Sequence, residues 1–71
     1  MPNTDRNIGP RFKVSDIVAI SGSFHAGLNG RFGRVVEVRV NENSQTLDKY
    51  VVLLTDSAEE HLLWDMELKP K

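Results

Sequence analysis

Between Val14 and Val40 the chain reads VSDIVAISGSFHAGLNGRFGRVVEVRV, and the four glycines in it, Gly22, Gly27, Gly30 and Gly33, constrain the fold most. They lie between two runs rich in β-branched residues, Val14 to Ile20 and Val35 to Val40. Such runs favour strands. Glycine is placed where the backbone needs φ > 0 or where two backbones approach closely. Two short strands joined by a glycine loop therefore predict a small, strongly bent β-barrel.

The remaining segments extend this reading. Phe12 to Ile20 reads as the first strand, with Asp16 at its entry turn and Val18 and Ile20 on one face. Ser21 to Asn29 reads as a loop in which Phe24 and Leu28 are the large apolar residues. In Arg31 to Val40, Val36, Val38 and Val40 alternate with Glu37 and Arg39, the pattern of a half-buried strand. Val35 breaks that alternation two positions after Gly33. A β-bulge there would put Val35 and Val38 on one face and bend the strand. Asn41 to Thr46 is a polar hairpin tip, and Tyr50 to Leu54, apolar on both faces, reads as the central strand. His61 to Trp64 reads as a short strand, Asp65 to Leu68 as one 3-10 turn, and Pro70 as the end of the domain. The expected core is Val18, Ile20, Val38, Val52, Leu54, Leu63 and Leu68. Residues 1–10, with Pro2, Gly9 and Pro10 and the isolated Ile8, read as a disordered arm, and 11–71 as the folded domain.

A chain of 71 residues has room for one small core. With no cysteine, disulfides and thiolate-bound zinc are excluded. No run reaches the ~20 apolar residues of a membrane span, and the first residues lack the apolar core of a secretory signal. The expectation is a soluble, cytoplasmic protein that does not insert into membranes. Net charge is −1, but residues 1–40 carry six Lys/Arg against three acids and residues 41–71 three Lys against seven acids. That is not the strongly basic balance usual for nucleic-acid modules, although a local basic face remains open.

The segment Ser15-Asp16-Ile17-Val18-Ala19-Ile20-Ser21-Gly22 resembles the Gly-Asp-x-Val-x-Val-x-x-Gly opening of the KOW motif, with Ser15 in place of its first glycine. Gly33-Arg34-Val35-Val36-Glu37-Val38 resembles the Gly-x-Val-x-x-Val close. Tyr50 to Leu54 followed by Glu60 to Leu68 is similar to the end of the ferredoxin–thioredoxin reductase variable chain and of the SH3-like photosystem I accessory subunit. These resemblances imply an SH3-like barrel: an all-β domain of about five short antiparallel strands with one 3-10 turn near the C-terminus. They also imply an accessory, non-catalytic role, or, on the KOW side, ribosome or nucleic-acid association. The SH3-like type II dihydrofolate reductases carry a Val-Gln-Ile-Tyr strand where this chain has His61-Leu62-Leu63-Trp64, so that activity is not carried over.

No catalytic constellation, cofactor motif or metal-ligand spacing is present in the sequence, and no enzyme activity is expected. A phosphate loop is excluded because the glycine loop has neither the lysine nor the following helix. The acidic Asp56, Glu59 and Glu60 read as a solvated turn, His61 as an exposed strand residue, and Trp64 as core or rim packing. The candidate partner-binding residues are Phe24, His25, Leu28, Asn29, Arg31, Phe32 and Arg34 around the glycine loop. Aromatics there can anchor a partner and arginines can grip carboxylate or phosphate. The leading expectation is a protein-binding module, an accessory or regulatory subunit of a larger complex. The alternative is a KOW-type nucleic-acid-binding or ribosome-associated module using Arg31, Arg34, Arg39 and Lys13.

Overall fold

A computed structural model describes residues 9–22 and 26–71. The fold is all-β. Its strands are β1 (Ile17–Ile20), β2 (Phe32–Arg39), β3 (Lys49–Leu54), β4 (Glu60–Trp64) and β5 (Leu68–Pro70). All pair antiparallel in one sheet of order β4-β3-β2-β1-β5. Three single 3-10 turns punctuate it: η1 (Ala26–Leu28), η2 (Gln45–Leu47) and η3 (Asp65–Glu67).

The connection from β4 to β5 decides the shape. These strands are the two opposite edges, yet only Asp65, Met66 and Glu67 join them. Laid flat, edges of five strands would stand about 19 Å apart at ~4.8 Å per strand. A 3-10 turn advances only about 2 Å per residue. The sheet must therefore curl until its edges nearly meet. It does not close: β4 and β5 share a turn but no ladder. The expected barrel is thus corrected to a curled, open-edged sheet.

The alternation of apolar residues sets the faces. Along β3, Tyr50, Val52 and Leu54 point into the core while Lys49, Val51 and Leu53 are half-buried on the outer face. The interior position of β3 matches its two apolar faces, but the middle of the sheet belongs to β2. The register between β2 and β3 slips between Val35 and Glu37, the expected bulge. It turns Val35 fully inward and leaves Val38 only partly buried against the core. The largest burial on β2 therefore falls on Val35, not on Val38. Val18, Ile20, Val52, Leu54, Leu63 and Leu68 are buried as expected, joined by Phe12, Leu28 and Tyr50. Phe12 lies outside β1, which starts only at Ile17. It meets Tyr50 edge-on, ring centroids 5.5 Å apart, and its N–H donates to the Tyr50 hydroxyl. Burial raises the Tyr50 pKa, because the phenolate would lose its hydration.

Residues 1–8 of the expected arm lie outside the described residues. Next to them, the Gly9 carbonyl accepts a bond from Gln45 Nε2. The segment Lys13 to Asp16 forms a turn, Asp16 N–H donating to Lys13 O at 3.0 Å. Ser15 sits at its third position with φ +84, the left-handed conformation a type II turn demands there. The departure from the KOW pattern thus falls where the backbone prefers glycine.

Gly33 has a different task. It pairs with both Val18 and Leu54, and a Cβ there would overlap Val52 Cγ1 and come within 2.8 Å of the Leu53 carbonyl oxygen. Opposite outcomes are expected at the two positions. Ser15→Gly relieves about 1–2 kcal/mol of left-handed strain against roughly 0.5–1 of glycine entropy, for a net gain of up to about 1.5 kcal/mol. Gly33→Ala costs about 1–3 kcal/mol by overpacking. Denaturant unfolding checks both, and a loss at Ser15→Gly or a neutral Gly33→Ala would contradict these assignments.

Candidate functional site

The β1–β2 loop returns to the sheet through Asn29 and Gly30, where Gly30 takes φ +87 and donates its N–H to Ile20 O. Next to this return, Arg31 reaches across to the β3–β4 turn. Its guanidinium sits 2.7 Å from Asp56 Oδ1 and 3.4 Å from Ser57 Oγ. The shared hydrogen bond raises the Arg31 pKa and lowers that of Asp56. The same turn is tied to β2 by Thr55, whose N–H and hydroxyl both donate to Phe32 O.

Phe32 and Arg34, two apart on β2, share the outward face. Phe32 is 43% exposed, and the Lys71 ammonium stands 5.7 Å from its ring centroid. Arg34 lies in register between Ile17 on β1 and Leu53 on β3. These three side chains, with Leu54, Thr55 and Ala58, line an open cleft of about 340 Å³. Ala58 adopts φ +59, held by its N–H to Leu54 O. Among the described residues Arg34 has no ion-pair partner. The cleft therefore offers apolar walls and one available guanidinium, the donor set for an apolar side chain next to a carboxylate.

The sequence-predicted site residues divide. Phe32 and Arg34 come together on one face, and Arg31 and Asn29 lie beside them at the loop return. Leu28 does not belong to this surface: at 8% exposed it is a core residue, because η1 turns it under the sheet. Phe24 and His25 lie outside the described residues. Sequence reasoning does not single out Ile17, Leu53, Thr55 and Ala58, which line the cleft. Their only signal is outward position on a strand or turn, and the register that assembles them is long-range.

The other cations of interest are engaged. Lys13 pairs with Asp16 at 3.2 Å and Arg39 with Glu37 at 2.7 Å. In the acidic turn, Asp56 holds Arg31, and Glu59 Oε1 lies 3.3 Å from His61 Nε2 and accepts from it in the tautomer that protonates that nitrogen. Trp64 is half-buried, its ring under the Lys49 ammonium at 4.6 Å. Among the described residues no group of three metal-ligating side chains converges, and no helix is long and apolar enough to cross a membrane. Comparison with protein-family models, curated proteins and solved structures finds no match.

The ion pairs give the site a pH dependence. Hydrogen bonds from the Lys13 N–H and ammonium lower the Asp16 pKa, as Arg31 lowers that of Asp56. A carboxyl whose folded pKa lies below its unfolded value stabilises the fold above the unfolded value, near 4, and loses that contribution as pH falls through the folded pKa. The melting temperature is expected to drop through this acid range. The drop should be shallower in Asp16→Asn/Asp56→Asn, and an unchanged acid slope would remove these two carboxylates as its source.

Proposed function

We propose that the chain is a non-catalytic protein-binding module, an accessory or regulatory subunit of a larger complex. It docks its partner on the outward face of β2 beside the β3–β4 turn. Phe32 and Ile17 supply the apolar contact and Arg34 grips a partner carboxylate. The observation that carries this reading is how the cations are used. Of the four that would form a nucleic-acid surface, Lys13, Arg31 and Arg39 are already paired with Asp16, Asp56 and Glu37, and Arg34 alone is available. A phosphate backbone is bound by several unpaired cations acting together. Exposed aromatic and aliphatic side chains around one arginine are instead what protein interfaces concentrate. The curled five-stranded sheet, its bulged second strand and its single-turn connection between the edges support the SH3-like reading from which the accessory role is taken.

The test is purification of the tagged chain from its source cells, with and without nuclease, followed by affinity measurements on the recovered partner at two salt concentrations. The partner is expected to survive nuclease treatment. Phe32→Ala is expected to weaken it by about 2 kcal/mol. Arg34→Ala should act mainly on the salt dependence. The Phe24→Ala variant belongs in the same series. A partner lost to nuclease, with a salt slope that falls by about 0.9 for each arginine removed, would instead assign a nucleic-acid-binding role.

A further inference from the structure

An open sheet has two edges, and each turns backbone N–H and C=O groups toward anything that can add a strand. On β5 they are occupied. Ser21 N–H donates to Glu67 O, so antiparallel alternation from β1 points the backbone groups of Leu68 outward. There the Leu68 N–H donates to Asp65 O and its C=O accepts from the Arg11 guanidinium. Pro70 has no N–H to offer.

β4 is different. Leu54 N–H donates to Glu59 O, and the register then pairs Val52 with His61 and Tyr50 with Leu63. The backbone groups of Glu60, Leu62 and Trp64 therefore face away from β3. The Trp64 N–H is taken by the Glu67 carboxylate at 2.9 Å. Among the described residues β4 has one neighbour in the sheet, and Glu60 and Leu62 are both exposed.

We propose that a second copy of this chain fills that edge, the two β4 strands pairing antiparallel about a two-fold axis at Leu62. The side chains are self-complementary in this register. Leu62, 42% exposed, meets the second copy's Leu62. Glu60, with no ion-pair partner among the described residues, falls opposite the second copy's Trp64. That indole carries the Lys49 ammonium 4.6 Å from its ring centroid. Lys49 lies in register with Arg39 on β2, whose charge Glu37 takes, and among the described residues has no carboxylate of its own, so an added one meets an unpaired ammonium there. The symmetry repeats this contact at both ends. Each Leu62 exchanges both backbone bonds with its twin, and each Glu60 N–H donates to the other copy's Trp64 C=O. An edge of this length supports a weak, concentration-dependent dimer.

Sedimentation equilibrium over a concentration series tests this, with amide exchange as a second readout. The mass is expected to rise from monomer toward dimer, and the Glu60 and Leu62 amides to gain protection as concentration increases. Leu62→Lys should weaken the dimer by about tenfold or more. Glu60→Lys and Lys49→Glu should each weaken it, and their combination in one chain should restore it. Far-UV circular dichroism checks that every variant folds. A monomer at millimolar concentration, a dimer indifferent to Leu62→Lys, or a double variant no better than the single ones would overturn the proposal.

Discussion

Everything in this fold hangs on the η3 turn, three residues that join the two edges of a five-stranded sheet. A connection that short is possible only if the sheet is curled, and the curl encloses the core. The turn is correspondingly well held. Arg11 donates to the Asp65 carboxylate and to the Asp65 and Leu68 carbonyls. Asp65 N–H donates to Asp48 O, and Ser21 N–H to Glu67 O. Glu67 returns a carboxylate oxygen to the Trp64 N–H. Asp65 and Glu67 are buried, yet each is bonded, which is the condition under which buried carboxylates are tolerated. The same bonds seal β5 and one end of β4. The edge left open at Glu60 and Leu62 is therefore a consequence of how the turn is fixed.

Local pattern made much of the fold legible. Alternation along Tyr50–Leu54, the broken alternation at Val35 and the turn at Asp65 can each be read without knowing what lies across the sheet. Readings failed where a partner far along the chain decides the outcome. Leu28 looks like a loop residue, and only the sheet above it makes it core. Phe12 looks like part of a strand, yet it is a plug against Tyr50. Arg11 attracts no notice in the sequence, because the carboxylate it grips is 54 residues away. The site shows the same division. Phe32 and Arg34 share a face by simple alternation, but the cleft needs the register of three strands. That Arg31 is neutralised depends on Asp56, 25 residues on.

Among the described residues, the cations of this nearly neutral chain are mostly engaged one by one. Lys13, Arg31 and Arg39 meet carboxylates, while Arg11, Lys49 and Lys71 also lie over Phe12, Trp64 and Phe32. Exposed pairs of this kind contribute little to stability. In the proposed docking mode they leave Arg34, set among apolar neighbours, as the group that meets the partner.

The Arg11 clamp on η3, and not ion pairing in general, holds the curled sheet together. Denaturant unfolding of Arg11→Ala beside Lys13→Ala tests it directly. The side chain of Asp65 is 5% exposed, whereas that of Lys13 is 84% exposed. Arg11→Ala is expected to cost about 2–3 kcal/mol, since it leaves the buried Asp65 carboxylate and the Leu68 carbonyl oxygen without their donor. Lys13→Ala is expected to cost less than about 0.5 kcal/mol. Equal, small losses in the two variants would show that the Arg11 clamp does not hold the sheet.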